Sequence, residues 1–156
     1  MPNDLPQFTA DLSQLEISLG DRSDRFVSGV AVTLANEMIS GGRYSPGTPI
    51  DTGFHRANWD SAIGVVPNRP PTIGEAEANA NPGAGHAAAN AAQERTAEGA
   101  ATLKVGQILY VANSGPAIGR LEFGWSKQAP NGMIRQALNA LQSIANEVAT
   151  FLRGGS

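Results

Sequence analysis

Residues Thr48 to Val66, T-P-I-D-T-G-F-H-R-A-N-W-D-S-A-I-G-V-V, separate an α+β domain from a helical bundle. Trp59, Ser61, Ile63 and Val65 alternate there with Asp60, Ala62, Gly64 and Val66, the two-residue period of a strand, and Pro67 stops it. A second strand is predicted over Gln107 to Asn113, where Ile108, Leu109, Tyr110 and Val111 put apolar side chains on both faces. Asn113-Ser114-Gly115-Pro116 then makes a turn.

Outside these strands the period becomes helical. Phe8, Leu12, Leu15 and Leu19 form one stripe, which resumes with Phe26, Val30, Leu34 and Met38. The spacing predicts one long helix, or two divided near Gly20 with Asp21 or Ser23 as a fresh cap, closed by Ser40-Gly41-Gly42. At the other end Ile134, Leu138, Leu141, Ala145, Val148 and Leu152 predict a single helix, with Asn131 as its cap and Gly154-Gly155 as its end. An Ala-rich helix is predicted over His86 to Ala101. Between Pro67 and Gly85 the chain is rich in Pro, Gly and Ala and reads as a flexible insertion. The expected fold is therefore α+β over residues 1–156: one domain, its small antiparallel sheet packed with a long N-terminal helix and a C-terminal helix.

Composition narrows the function. The chain has 156 residues, enough for one modest core, with 41% hydrophobic but only 6% aromatic residues. Small aliphatic side chains bury little area each, so such a subunit gains stability from neighbours. A formal charge of −3 argues against gripping nucleic acid through a basic face, although passive proximity to DNA is compatible with it. Cysteine is absent, which excludes disulfides and Cys-based zinc sites. Met1 to Gln7 has no apolar run of signal-peptide length and no segment approaches membrane-spanning length, so a soluble product made in the cytoplasm is expected, with no membrane partner.

Catalytic motifs are thin. Asp51-Thr52-Gly53 has the local form of an aspartic-protease loop, a chemistry in which two copies would each supply one carboxylate. Phe54 follows where a small residue is needed, and a turn-capping Asp51 or Thr52 is the plainer reading. His55 and His86 lie in different segments without metal-ligand spacing, and Ser114 and Ser126 lack a nucleophile elbow. No catalytic, cofactor or metal site is expected, and the chain reads as a non-enzyme.

Two blocks stand out instead. In the first, an extended chain would put Arg56 and Asn58 on one face and Ala57 and Trp59 on the other. One reading is a core Trp beside a surface Arg. The sharper one makes Arg56 a contact between subunits, with Glu122 as its candidate partner, since Arg and Trp are enriched at interface hot spots. The second block, Leu121 to Met133, L-E-F-G-W-S-K-Q-A-P-N-G-M, combines Glu122, two aromatics, Gly124, Ser126, Gln128 and Pro130, and a loop so specified suggests an interface.

These blocks resemble the tail-component or neck proteins of long-tailed bacteriophages, which include the minor tail protein Z type of tail completion protein. The family pattern runs T-P-V-D-T-G-R-x-R-A-N-W, then, after an insert, L-K-x-G-x-x-I-Y-I-x-N-x-x-P-Y-A-x-x-L-E-x-G-x-S-x-Q-A-P-x-G-M. This chain matches with Pro49, Asp51, Thr52, Gly53, Arg56, Ala57, Asn58 and Trp59. In the second block it matches with Leu103, Lys104, Gly106, Tyr110, Asn113, Pro116, Leu121, Glu122, Gly124, Ser126, Gln128, Ala129, Pro130, Gly132 and Met133. It departs at Phe54, Ala117 and Ile118.

The resemblance implies a virion structural protein at the head-to-tail junction, a ring of its own copies that joins the capsid connector or head-closure protein to the tail terminator or tail tube protein. Asp51, Thr52, Gly53, Arg56, Asn58, Trp59, Glu122, Gly124, Ser126, Gln128 and Pro130 are its implied interface positions. Two rival functions stay open: a tail terminator ring that stops tube growth, and the dimeric aspartic protease.

Overall fold

The structure, a computed structural model, describes residues 5–154. The side chain of Phe8 and all of Gly155, two of the helix markers in the sequence, lie outside the described set. In chain order the elements are α1 (Leu5–Ile39), α2 (Phe54–Ala57), β1 (Trp59–Ile63), α3 (Glu75–Ala80), α4 (Pro82–Ala101), β2 (Leu109–Asn113), α5 (Ile118–Glu122), α6 (Ile134–Asn139) and α7 (Leu141–Gly154). The fold class is α+β: a two-stranded antiparallel sheet packed against long N- and C-terminal helices.

The keel is α1, 35 residues long and so about 52 Å from end to end. Gly20 leaves it unbroken, because one glycine costs a helix only about 1 kcal/mol and nothing crowds this position. The second half of α1 lies against α4 and α7. β1 pairs with β2 from Trp59↔Asn113 to Ile63↔Leu109, and α4 lies across β1. α4 can come close because Gly85, Ala89, Ala92, Thr96 and Ala100, all small or short, form its buried stripe. It starts where the sequence supplies Asn81, whose side chain accepts the Ala84 N–H, and Pro82 in the first turn.

Two apolar clusters result. Met38, Ile39, Trp59, Met133 and Ala137 pack together, joined by Leu34, Val111, Ile118, Leu121 and Ile134. Phe54, Ala57, Ile73, Ala78 and Ala89 make the second. Trp59 thus ties the strand to the end of α1 and the start of α6, and among the described residues no helix is long and apolar enough to cross a membrane.

Three expectations are corrected. The first strand stops at Ile63 rather than Val66: Gly64 turns into the left-handed region at φ 77°, and Val65 and Val66 are left exposed. Residues 67–85 are not a structureless insertion, since they contain α3 and the first turn of α4 and bury Ile73 and Ala78 against it. The last helix is two, α6 and α7, with Ala140 between them: its N–H is shared between the carbonyls of Gln136 and Ala137, which tightens the turn there.

Gly85 of α4 lies hard against Thr52, whose carbonyl oxygen any Cβ on Gly85 would strike. Gly85→Ala is therefore expected to destabilise the fold by about 2–3 kcal/mol through overpacking. Gly83→Ala, two residues earlier and meeting only ordinary van der Waals contact, should stay within about 0.5 kcal/mol of the parent. Chemical denaturation followed by far-ultraviolet circular dichroism checks both.

Candidate interaction site

The loop after α1 carries the first block, and Thr48 fixes it. Thr48 is fully buried, and each of its polar atoms is paired. Its N–H donates to Ile39 O at 3.0 Å, and its hydroxyl donates to Met38 O at 2.9 Å while accepting Trp59 Nε1–H at 2.8 Å. Its carbonyl accepts from Arg56 Nε at 3.1 Å and Nη2 at 2.6 Å. One residue therefore ties the end of α1 to α2 and β1. Burial pushes the Arg56 guanidinium down from its ordinary value, which the paired hydrogen bonds to a carbonyl, rather than to a carboxylate, do not offset.

A buried carboxylate organises the same loop from below. Glu37 near the end of α1 accepts the backbone N–H of Arg43 at 3.0 Å, Tyr44 at 3.0 Å and Ser45 at 2.8 Å. Three donors from successive residues converge on one anion, the arrangement that makes burial of charge tolerable.

The second block repeats this device. Glu122, at the end of α5, accepts from Met133 N at 3.0 Å, Ile134 N at 2.8 Å and Arg135 N at 3.0 Å, covering the first orphan donors of α6. Arg135 Nε adds a charged bond at 3.1 Å, and its Nη2 reaches the Glu122 carbonyl at 2.6 Å. Desolvation raises the Glu122 pKa, but the backbone donors of Ile134, Arg135 and Met133, with the Arg135 side chain, outweigh it and hold the carboxyl below its ordinary value of 4.5. Gly132, at φ 78°, lets this loop close directly over the carboxylate.

The two blocks then meet. Ile50 N–H donates to Gln128 Oε1 at 3.0 Å, and Gln128 Nε2 donates back to Ile50 O at 3.3 Å. Ser45 Oγ donates to Met133 O at 2.9 Å. Between them opens a cleft of about 450 Å³, lined among others by Asp51, Phe54, His55, Glu75, Trp125 and Lys127. Trp125, in its lining, is 72% exposed, and Phe123, two residues earlier, is 74% exposed. Arg135 lies 5.1 Å from the Phe123 ring centre and Arg120 lies 4.8 Å from that of Trp125. Large rings backed by guanidinium groups on a braced loop present apolar area that costs little conformational entropy to bury.

Asp51, Thr52, Gly53, Ser126 and Gln128 line the cleft, with Asp51 exposed and its carbonyl accepting from His86 Nε2 at 2.9 Å, whereas Glu122 is buried under the 133–135 turn and Gly124 lies against the Pro130 carbonyl. Asn58 is not on an outward face: it caps α2, donates from Nδ2 to Phe54 O at 2.8 Å and accepts Thr72 N–H at 3.3 Å. Trp59 is core, as the plainer reading had it. Arg56 is half-buried and spent on Thr48 rather than reaching outward, and its suggested partner Glu122 pairs with Arg135. The local chain there is a helical turn, so strand alternation did not apply. Pro130 is exposed, with its carbonyl against Gly124, and Asn131 is exposed while Glu122 does the capping expected of it.

Thr48, Glu37, Ser45 and Arg135 were missed. Their roles come from pairings across 6 to 88 residues, which no helix or strand period carries. The exposure of Phe123 and Trp125 had a signal, Gly124 between them, which keeps the chain from burying both rings in one strand face. His55 borders the cleft with its Nδ1 buried and unpartnered, and desolvation pushes its pKa below 6.5 against a smaller upward pull from Glu75.

No family model matches the chain, and the searches of curated proteins and of solved structures likewise return no match.

Two outcomes test this account of the site. Thr48→Val keeps shape but strands Trp59 Nε1–H inside the core, an expected loss of about 1–3 kcal/mol and a midpoint lower by about 2–4 °C for each kcal/mol in thermal unfolding. The second concerns pH. His55 and Glu122 both have folded pKa values below their unfolded ones, so the stability each contributes is full above the unfolded value and declines as pH falls through to the folded one. Denaturation midpoints should therefore soften in two windows, starting near pH 6.5 and near pH 4.5. Glu122→Gln should lower stability at neutral pH and flatten the second window while leaving the first.

Proposed function

We propose that this chain is a virion structural protein of the head-to-tail junction, a neck or tail completion subunit that joins the capsid connector to the tail as part of a ring of its own copies. The observation carrying this reading is the reciprocal Gln128–Ile50 pair, because it brings together the two blocks in which the resemblance to phage tail-component proteins resides. Those blocks are 48–59 and 121–133 in sequence, and they share one braced edge of the molecule.

The mechanism is geometric. Glu37, Thr48 and Glu122 fix the loops before any partner arrives, so docking does not have to order them. Phe123 and Trp125 supply anchors whose burial against a neighbour stabilises the joint. Repetition of one contact around an axis closes a ring, and a chain of net charge −3 lets DNA pass without adhering. The protein acts in the virion, with connector and tail proteins as neighbours, and breaks no bond.

Deleting the gene from the phage that encodes this chain should leave filled heads and normal-length tails unjoined in electron micrographs. Tails of abnormal length would favour a terminator ring instead, and loss of a proteolytic event in Asp51→Asn particles would favour the protease. Trp125→Ala is the sharper variant: its thermal midpoint should match the parent, since the ring is exposed, while joined particles fall at least about tenfold, the scale of a lost hot spot.

A further inference from the structure

We infer that successive copies of this chain associate head to tail by laying the overhanging first half of α1 into the groove between α1 and α7 of the next copy. This specifies the self-association that the proposed function invokes, and it rests on that reading for its use in the virion.

The overhang is conspicuous. Thr9 to Ser23 are exposed throughout, and the body begins at Asp24, whose carboxylate accepts Val105 N–H at 2.9 Å. Leu12, Leu15 and Leu19 lie 49%, 55% and 56% exposed, on the same stripe as Phe26 and Val30, which are half-buried. The core face of α1 therefore continues beyond the core, and no described residue of the same chain covers it. A solitary helix gains little stability in water without a tertiary partner. An apolar stripe at three- and four-residue steps fits a groove between two helices.

Such a groove lies on the same molecule. It encloses about 540 Å³ and is lined by Arg25, Gly29, Val32, Val148, Phe151 and Leu152 among others. Phe151, on its edge, is 78% exposed. Gly29 lets Val148 sit against the α1 backbone, which draws the helices together at the floor. Charge chooses the occupant. From Thr9 to Ser23 the overhang carries Asp11, Glu16 and Asp21 against a single cation, Arg22. Arg25 lines the groove, while Glu147, the carboxylate among its lining residues, is already engaged by Arg43 at 2.5 Å and Tyr44 at 2.7 Å. An acidic apolar helix thus meets a cationic apolar groove, and both belong to this chain. Because the two surfaces differ, the contact is heterologous and repeats from copy to copy.

The test uses the purified chain in sedimentation velocity. Wild type should self-associate with concentration, and the doubly substituted Leu15→Lys, Leu19→Lys chain and the Phe151→Glu chain should each associate at least about tenfold more weakly while keeping their helical circular dichroism. Mixed, these two variants should form a one-to-one pair and stop there, since one supplies a sound groove and the other a sound overhang. The absence of cysteine adds a second readout: Leu15→Cys with Phe151→Cys in one chain should give a disulfide ladder under mild oxidation, and neither single variant should. A wild-type monomer at all concentrations, undiminished association of Phe151→Glu, failure of the mixture to pair, or a Leu15→Cys dimer would each overturn the inference. A wild-type monomer whose deletion still leaves heads unjoined sinks the inference alone; normal association with normal particles after deletion sinks the neck reading alone.

Discussion

The structure depends on the complete saturation of Thr48. Its amide, hydroxyl and carbonyl each face a different element, so the end of α1, the turn of α2 and the indole of Trp59 are placed by one buried residue. Remove the hydroxyl and the indole N–H has no water to turn to. In the dry core of a small domain an unpaired donor costs more than the bond itself contributes, which is why this loop has a defined path without regular structure.

Around that point two buried carboxylates do for loops what a ladder does for strands. Glu37 gathers Arg43, Tyr44 and Ser45, and Glu122 gathers Met133, Ile134 and Arg135. Each pays its desolvation with three backbone donors, and each stands beside a helix terminus. The consequence for function is stiffness in the place where a flexible surface would be least useful. A loop already fixed by these bonds presents Phe123 and Trp125 without an ordering cost, and the proposed assembly role draws on that stiffness.

Much of this was legible in the residues. The helical stripes from Leu12 to Met38 and from Ile134 to Leu152, and the strand beginning at Trp59, follow from spacing, since amphipathic burial is a local pattern. Boundaries were less so. Gly64 cut the strand short because a left-handed residue interrupts the pleat whatever the hydrophobicity of Val65 and Val66. The stretch up to Gly85 looked too polar to fold, yet Ile73 and Ala78 find cover from α4, a neighbour that composition does not reveal. For the site, the two blocks were visible as unusual clusters, but the partners inside them were not. Arg56 was aimed outward because an extended chain was assumed, and one turn of helix sends it back to Thr48. Glu122 found Arg135, which lies beyond the cluster that drew attention to it.

On the proposed reading, a braced edge and a helix overhang serve one end: fitting this molecule against others of its kind and against the parts of a virion on either side. The most direct measurement is to locate the polypeptide in purified mature particles of the phage that, on this proposal, encodes it, by mass spectrometry and antibody labelling in electron micrographs. The account predicts a fixed number of copies per particle, with label confined to the junction of head and tail. Wild-type particles that are infectious and free of this polypeptide would contradict it.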